Sequence, residues 1–225
     1  MTRQLAFDLP VLAAYRREDF FTSPANAHAL AAVEGWRGWP GGKMLLVGPP
    51  GAGKTHLAHL WAETAGAVIV AGADILAADL PELSEAGAVA VENADAVAGV
   101  PEAEAALFHL HNMVVQRGAL LMTARGPARD WGLRLADLKS RVEAAPVARL
   151  EPPDDALLSA VLVKLFADRQ TVVAPALIPW LVARMERSIA AARALVAAMD
   201  ARALAQGKPI TRATAQGLLD RDDTE

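Results

Sequence analysis

The chain has no cysteine among its 225 residues, which excludes disulfides and every metal site built on thiolates. Long apolar runs are missing too. Hydrophobic residues make up 53% of the sequence, but much of that share is alanine, and no stretch approaches the roughly 18 uninterrupted apolar residues of a membrane span. The opening MTRQLAFDLP has neither the apolar core nor the cleavage site of a secretory signal. These absences predict a cytoplasmic protein with no membrane partner. Positive charge is in short supply: 22 Lys and Arg face 26 Asp and Glu, a net charge of -4, which disfavours large-scale neutralisation of DNA phosphates by this chain alone. The length suits one core with a smaller appendage.

The most informative stretch present is Gly48 to Thr55, GPPGAGKT, which follows the apolar run Met44 to Val47 and opens a helical pattern from Lys54 to Ala65. Strand, glycine-rich loop, helix is the setting of a phosphate-binding loop. Gly48, Gly51 and Gly53 let the backbone turn tightly, with Pro49, Pro50 and Ala52 completing the loop, so that successive N–H groups converge at the positive end of a helix. In such a loop Lys54 reaches the β- and γ-phosphates and the Thr55 hydroxyl ligates Mg²⁺, making a site for a nucleoside di- or triphosphate. The alternative is a glycine-rich turn that matches by chance.

Before the loop, QLAFDL at Gln4 to Leu9 ends at Pro10 and alternates Leu5, Phe7 and Leu9, so an extended conformation presents three apolar anchors together, with the Gln4 amide beside them. A frayed terminus or a strap across its own domain fits the same residues. A helix carrying Ala29, Leu30 and Val33 follows, closed by a turn near Trp39 to Gly42. After the loop, strands are predicted at 67–70, 88–91, 119–122 and 147–150, helices at 101–117 and 133–142, and a loop with at most short helices at 72–85. Strands alternating with helices predict a parallel sheet covered on both faces. Glu92 and Asn93 end the third strand, where nucleotide hydrolases place the acid that organises Mg²⁺. An exposed strand-end carboxylate is the plainer reading. Thr123 ends the fourth strand at the same edge, as a γ-phosphate sensor or a structural hydroxyl.

Pro152 and Pro153 break the alternation, and Asp154 or Asp155 caps a helix carrying Leu157, Leu158, Val161, Leu162 and Leu165. Only helices are predicted beyond it, at 178–186, 188–206 and 211–219. His56 and His59 share a helix face, but no local acid or thiolate completes a zinc-like set. No nucleophile-elbow sequence supports a hydrolase triad. The scattered Trp residues suit packing.

Taken together, the phosphate loop, Glu92-Asn93, Thr123, the LKSRV segment at Leu138 to Val142 and the MERS segment at Met185 to Ser188 resemble the AAA+ core of the replication initiator DnaA. With QLAFDL, which resembles a β sliding clamp-binding motif, and with no helix-turn-helix segment after the helices, the chain resembles the Hda family of DnaA-related regulators. The resemblance implies an α/β AAA+ core at 13–151, a helical lid at 152–225 and an exposed clamp-binding segment at 1–12. It implies Glu92 in the Walker B place, Thr123 in the sensor 1 place, Arg187 in the sensor 2 place and Arg141 in the arginine-finger place. It also implies Mg²⁺ held through Thr55 and Glu92.

Two departures from the family pattern stand out. The Walker B place holds Glu92 rather than aspartate, and Asn93 stands where active ATPases carry an acid; an amide cannot act as a base. The expectation is therefore slow or negligible turnover by the chain itself, with ADP (or ATP) as an assembly ligand and Arg141 donated in trans to the ATP site of a neighbouring DnaA. The implied partners are the β sliding clamp, DnaA, and DNA only through the clamp; a homodimer is compatible with the pattern. Two other functions fit: a self-sufficient ATPase such as a helicase loader, and a nucleotide-dependent clamp adaptor that leaves hydrolysis unchanged.

Overall fold

Five short runs rich in Val, Leu and Ala pair into one sheet: β1 (Lys43–Val47), β2 (Val68–Ala71), β3 (Ala88–Glu92), β4 (Ala119–Ala124) and β5 (Val147–Arg149). The computed structural model describes residues 15–222. The expected clamp-binding residues Gln4, Leu5, Phe7 and Leu9 lie outside them. The strand order is β2-β3-β4-β1-β5 and every neighbouring pair is parallel. Parallel neighbours require crossovers, and α1 (Ala27–Glu34), α2 (Lys54–Ala65), α3 (Leu80–Glu85), α4 (Pro101–Val115) and α5 (Ala136–Glu143) supply the helices on the two faces.

Strand alternation sorts the core into two halves. Met44, Leu46, Ala90 and Leu121 face α1 and α2, where they meet Leu57, Ala58 and Trp61. Leu45, Val47, Val91 and Met122 face α4 and α5, against Leu107, Leu110, Leu138 and Val142. Truncating a fully buried leucine such as Leu121 to alanine costs about 2–5 kcal/mol. Trp61 stacks on Trp39 with ring centroids 5.3 Å apart and meets Trp36 edge-on at 6.2 Å, so these three tryptophans do pack.

The helices that follow build their own apolar centre: α6 (Asp155–Asp168), α7 (Leu177–Val182), α8 (Ile189–Gln206) and α9 (Arg212–Asp222). Leu158, Leu162, Phe166, Leu181, Val196 and Met199 are among its buried residues. Asp154 caps α6 by accepting the Leu157 N–H at 2.7 Å, and Ser188 caps α8 by accepting the Ala191 N–H at 3.2 Å. Among the described residues no helix is long and apolar enough to cross a membrane.

Two expected elements shift. The helix expected at 133–142 starts at Ala136, because the N–H groups of Arg134 and Leu135 bond to the Glu104 side chain, at 2.9 and 2.7 Å, while the chain is still extended. The helix expected at 178–186 ends at Val182; the chain then turns so that Ser188 begins α8.

Candidate functional site

The loop between β1 and α2 is held from behind and open in front. Gly48 N–H donates to the Ala124 carbonyl at the end of β4 (3.2 Å), and Ala52 N–H to the Pro49 carbonyl (3.3 Å). Gly51 (φ +71°) and Gly53 (φ +103°) adopt left-handed backbone that side chains rarely tolerate. Lys54, the first residue of α2, folds back into the loop and donates to the carbonyls of Gly48 (2.7 Å) and Pro49 (3.0 Å). It is 8% exposed. Burial pushes its ammonium below the usual lysine range, opposed by the carboxylate of Asp95, reinforced by Arg125 and opposed again by Glu92. An anionic phosphate is a stronger acceptor for this ammonium than two neutral carbonyls.

The neighbouring strand ends add polar groups at the same sheet edge. Glu92 ends β3, and its Oε1 is buried with no hydrogen-bond partner. An orphaned buried carboxylate oxygen fits a cation or its water, and Thr55, which lines the cleft in front of the loop, brings a hydroxyl, so the chemistry of these two residues fits Mg²⁺. Thr123 is 1% exposed and paired in register with Leu46 of β1. Its Oγ1 accepts the backbone N–H of Asn93 at 2.9 Å. That bond holds Asn93 at φ +49°, a conformation asparagine tolerates better than most side chains. The hydroxyl therefore has a structural task here. Asp95, three residues past Glu92, accepts the Arg125 N–H at 3.3 Å and stands among the charges around Lys54.

In front of the loop lies a cleft of about 1550 Å³, bounded by residues 15–21, the loop, α6 and α8. Its loop wall is Pro50, Gly51, Gly53, Lys54 and Thr55; Asn93 and Arg125 lie at the sheet edge, and Phe20, Leu157 and Val161 give it apolar surface. Away from the loop the lining mixes charges of both signs, Asp19, Asp168 and Asp200 with Lys164, Arg169 and Arg193, among apolar side chains; Lys54 and the loop form the part that suits the phosphate of an organic ligand. Residues 15–20 reach across the opening. Tyr15 stacks on His59 (4.3 Å between centroids) and tilts over His56 (5.3 Å). His56 Nε2 donates to the Arg16 carbonyl (3.1 Å), and Lys164 of α6 pairs with Asp19 at 3.0 Å. The described residues include no group of three His, Asp or Glu arranged to hold a metal.

The two arginines carried over from the resemblance lie apart from this cleft. Arg187, expected in the sensor 2 place, bonds Asp155 in the first turn of α6 and the Pro153 carbonyl (3.1 Å), and it does not line the cleft. The arginine of α8 that lines it, alongside Arg16, Arg125 and Arg169 from other segments, is Arg193, 5.9 Å from the centroid of the Tyr15 ring. Ala190, Arg193 and Ala197 share one helical face that the cleft exposes, but the spacing alone does not say which face of α8 that is. Arg141 is exposed on α5, and its carbonyl accepts from Lys43 at the start of β1. The phosphate loop leaves the other end of that strand, about 13 Å away at the usual rise per residue.

A match to the AAA family, ATPase family associated with various cellular activities, covers residues 44–110, from β1 through most of α4. Among solved structures, domain III of the replication initiation protein DnaA from Thermotoga maritima has a TM-score of 0.79 at 19% identity, over 95% of this chain and 98% of that one. AMPPCP-bound DnaA from Aquifex aeolicus gives 0.68 at 14% identity, over 82% of this chain and 64% of that one. The initiator DnaA bound to AMPPCP and single-stranded DNA gives 0.65 at 15% identity, with the same coverages. The parallel five-stranded sheet with its phosphate-type loop and C-terminal helices is thus the AAA+ fold in the arrangement of DnaA domain III.

Proposed function

We propose that this protein is a negative regulator of chromosomal replication initiation that acts in the cytoplasm. It binds ADP, or ATP, with Mg²⁺ in the cleft in front of Gly48 to Thr55. It is tethered through Gln4, Leu5, Phe7 and Leu9 to the β sliding clamp. Arg141 then enters the ATP site of a neighbouring DnaA and stimulates hydrolysis there. The observation that carries this reading is the placement of Arg141: exposed, outside its own cleft, and with a guanidinium that no described residue bonds. An arginine so placed is available to a second protein, and its fixed charge and planar donor fork suit a transferring phosphoryl group. The nucleotide comes from the loop's chemistry, and the AMPPCP-bound DnaA structures of like fold point the same way. Tethering raises the local concentration of the finger near the initiator.

The test is the decay of ATP on DnaA in the presence of this protein, ADP and clamp loaded on DNA, with each component omitted in turn. Accelerated decay that needs both this protein and the loaded clamp, and is lost in Arg141→Ala, is the expected result; an in-trans arginine finger changes such rates by about 10³ to 10⁵. No acceleration, with clamp binding established, overturns the regulatory reading in favour of an adaptor. Leu5→Ala with Phe7→Ala should abolish clamp binding by surface plasmon resonance, and unchanged affinity overturns that segment's role.

A second reading, a self-sufficient ATPase, gains one observation. Asp95 places a carboxylate near Lys54 although Asn93 is an amide. It predicts turnover by the purified chain that Asp95→Asn removes.

A further inference from the structure

Helix α5 is too short to be held by its own backbone. Its eight residues make about two turns, below the 12–15 residues at which isolated helices become even marginal. No side chain of its own caps its first turn. Two buried charges from other elements take over at its ends.

At the N-terminal end stands Glu104 of α4, which is 1% exposed. Its Oε2 accepts the N–H groups of Arg134 (2.9 Å) and Leu135 (2.7 Å), and its Oε1 accepts that of Gly99 (2.9 Å). At the C-terminal end stands Lys43 of β1, nearly buried, whose Nζ donates to the Arg141 carbonyl at 2.9 Å and to His111 Nε2 at 3.2 Å. An ammonium only donates, so His111 Nε2 is the acceptor and its proton sits on Nδ1, towards Asn112 Oδ1 at 3.4 Å.

The dimensions match. Glu104 and His111 are two turns apart on one face of α4, about 10 Å along its axis, and Leu135 to Arg141 spans about 9 Å along α5. The signs match as well, with an anion at the start of α5 and a cation at its end, each opposing the helix dipole. Burying either charge is costly unless it is hydrogen-bonded, and an apolar residue at either place would pack without fixing the helix along its axis.

We propose that Glu104 and Lys43 are positioning residues for Arg141: they clamp the two ends of α5 so that the guanidinium projects from a fixed mount towards a nucleotide bound by a partner. This rests on the reading of Arg141 as a finger acting in trans. Glu104 gives α5 its start and Lys43 holds the carbonyl of the arginine itself, so loosening either leaves the guanidinium present but badly aimed.

The experiment uses the full chain with Lys43→Met, Glu104→Ala and Glu104→Gln. The last keeps one acceptor oxygen and serves where Glu104→Ala fails to fold. Amide hydrogen exchange across residues 134–144 should accelerate about tenfold or more while exchange across Gly48 to Thr55 stays unchanged. Maximal stimulation of ATP hydrolysis on DnaA should fall about 10- to 100-fold with the half-saturating concentration unchanged, as expected for a misplaced catalytic group. In an Arg141→Ala background, Lys43→Met should cause no further loss. Normal exchange across 134–144 in the variants overturns the clamp, as does an undiminished rate. Full stimulation by Arg141→Ala overturns the finger reading instead, so the two failures are told apart.

Discussion

Ser188 Oγ fills the space beside the α-carbon of Gly51, where a β-carbon would otherwise sit, and the N–H of the next residue, Ile189, donates to the Gly51 carbonyl at 2.9 Å. The first turn of α8 is therefore seated directly on the phosphate loop. That contact gives the C-terminal helices a direct route to whatever the loop holds.

Gly51→Ala tests that seating. The new methyl meets Ser188 and also strains a backbone at φ +71°, so unfolding free energy should fall by about 1–3 kcal/mol. Ser188→Gly removes the clash but not the strain, and as a cap substitution costs only a few tenths of a kcal/mol. Denaturant titration should show the double variant to be more stable than Gly51→Ala alone. Equal stability would mean that α8 does not bear on the loop.

Arg193 and Arg187 make opposite predictions. Only Arg193 lines the cleft, so Arg193→Ala should weaken ADP binding about tenfold, or ~1.4 kcal/mol, by calorimetry. Arg187→Ala should leave ADP affinity within error and change stability by about 0–1 kcal/mol, because its pair with Asp155 is more than half exposed. Lys54→Ala serves as the control that abolishes binding. The reverse ranking would show that α8 rotates when the ligand enters.

Glu92→Gln tests the metal. The amide keeps the shape and removes the charge from a buried oxygen that has no partner. Calorimetry with and without Mg²⁺ should then show the Mg²⁺-dependent gain in ADP affinity reduced by about tenfold or more. The same Mg²⁺ dependence in both proteins would place the ion elsewhere.

His111 should make the fold acid-sensitive. Burial first, then the Lys43 charge on β1 and Arg141 on α5, push its imidazole from 6.5 down to about 4, against the opposing bond to Asn112. Above pH 6.5 the residue is neutral in both states and its contribution is complete. Between pH 6.5 and about 4 the unfolded chain binds a proton that the folded chain refuses, so stability falls as pH falls, by up to about 3 kcal/mol. His111→Gln retains a neutral acceptor for Lys43 and should lose less stability than the parent between pH 7 and 4.5, as followed by urea titration. Identical losses would show that His111 is not the responsible group.

Much of the fold was legible because local pattern carried it. The run before Gly48 is buried on every residue of β1, and an unbroken apolar run ending in glycines has few other destinations than a central parallel strand. Asp154 and Ser188 cap helices where short polar residues precede apolar periodicity. The loop and Glu92 at a strand end followed from the same logic, since strand ends and the turns after them are read from neighbours in sequence.

The surroundings of Arg187 and Arg193 were not legible in that way. Arg187 and Arg193 are six residues apart around the start of one helix, and composition gives no reason to prefer either. The choice depends on how α8 is rotated when it docks on Gly51, and on Asp155, thirty-two residues upstream, engaging Arg187. Asp95 near Lys54, and the pairing of Glu104 with Leu135 and of Lys43 with Arg141 across 31 and 98 positions, depend likewise on which elements the sheet order makes neighbours. What the sequence by itself determined was the set of elements, the phosphate-type loop and the chemistry at its strand ends, all encoded by residues a few positions apart. Only the tertiary structure decided which arginine faces the cleft, which faces away, and what holds α5 in place. Those depend on contacts between distant segments, and local periodicity carries no term for them.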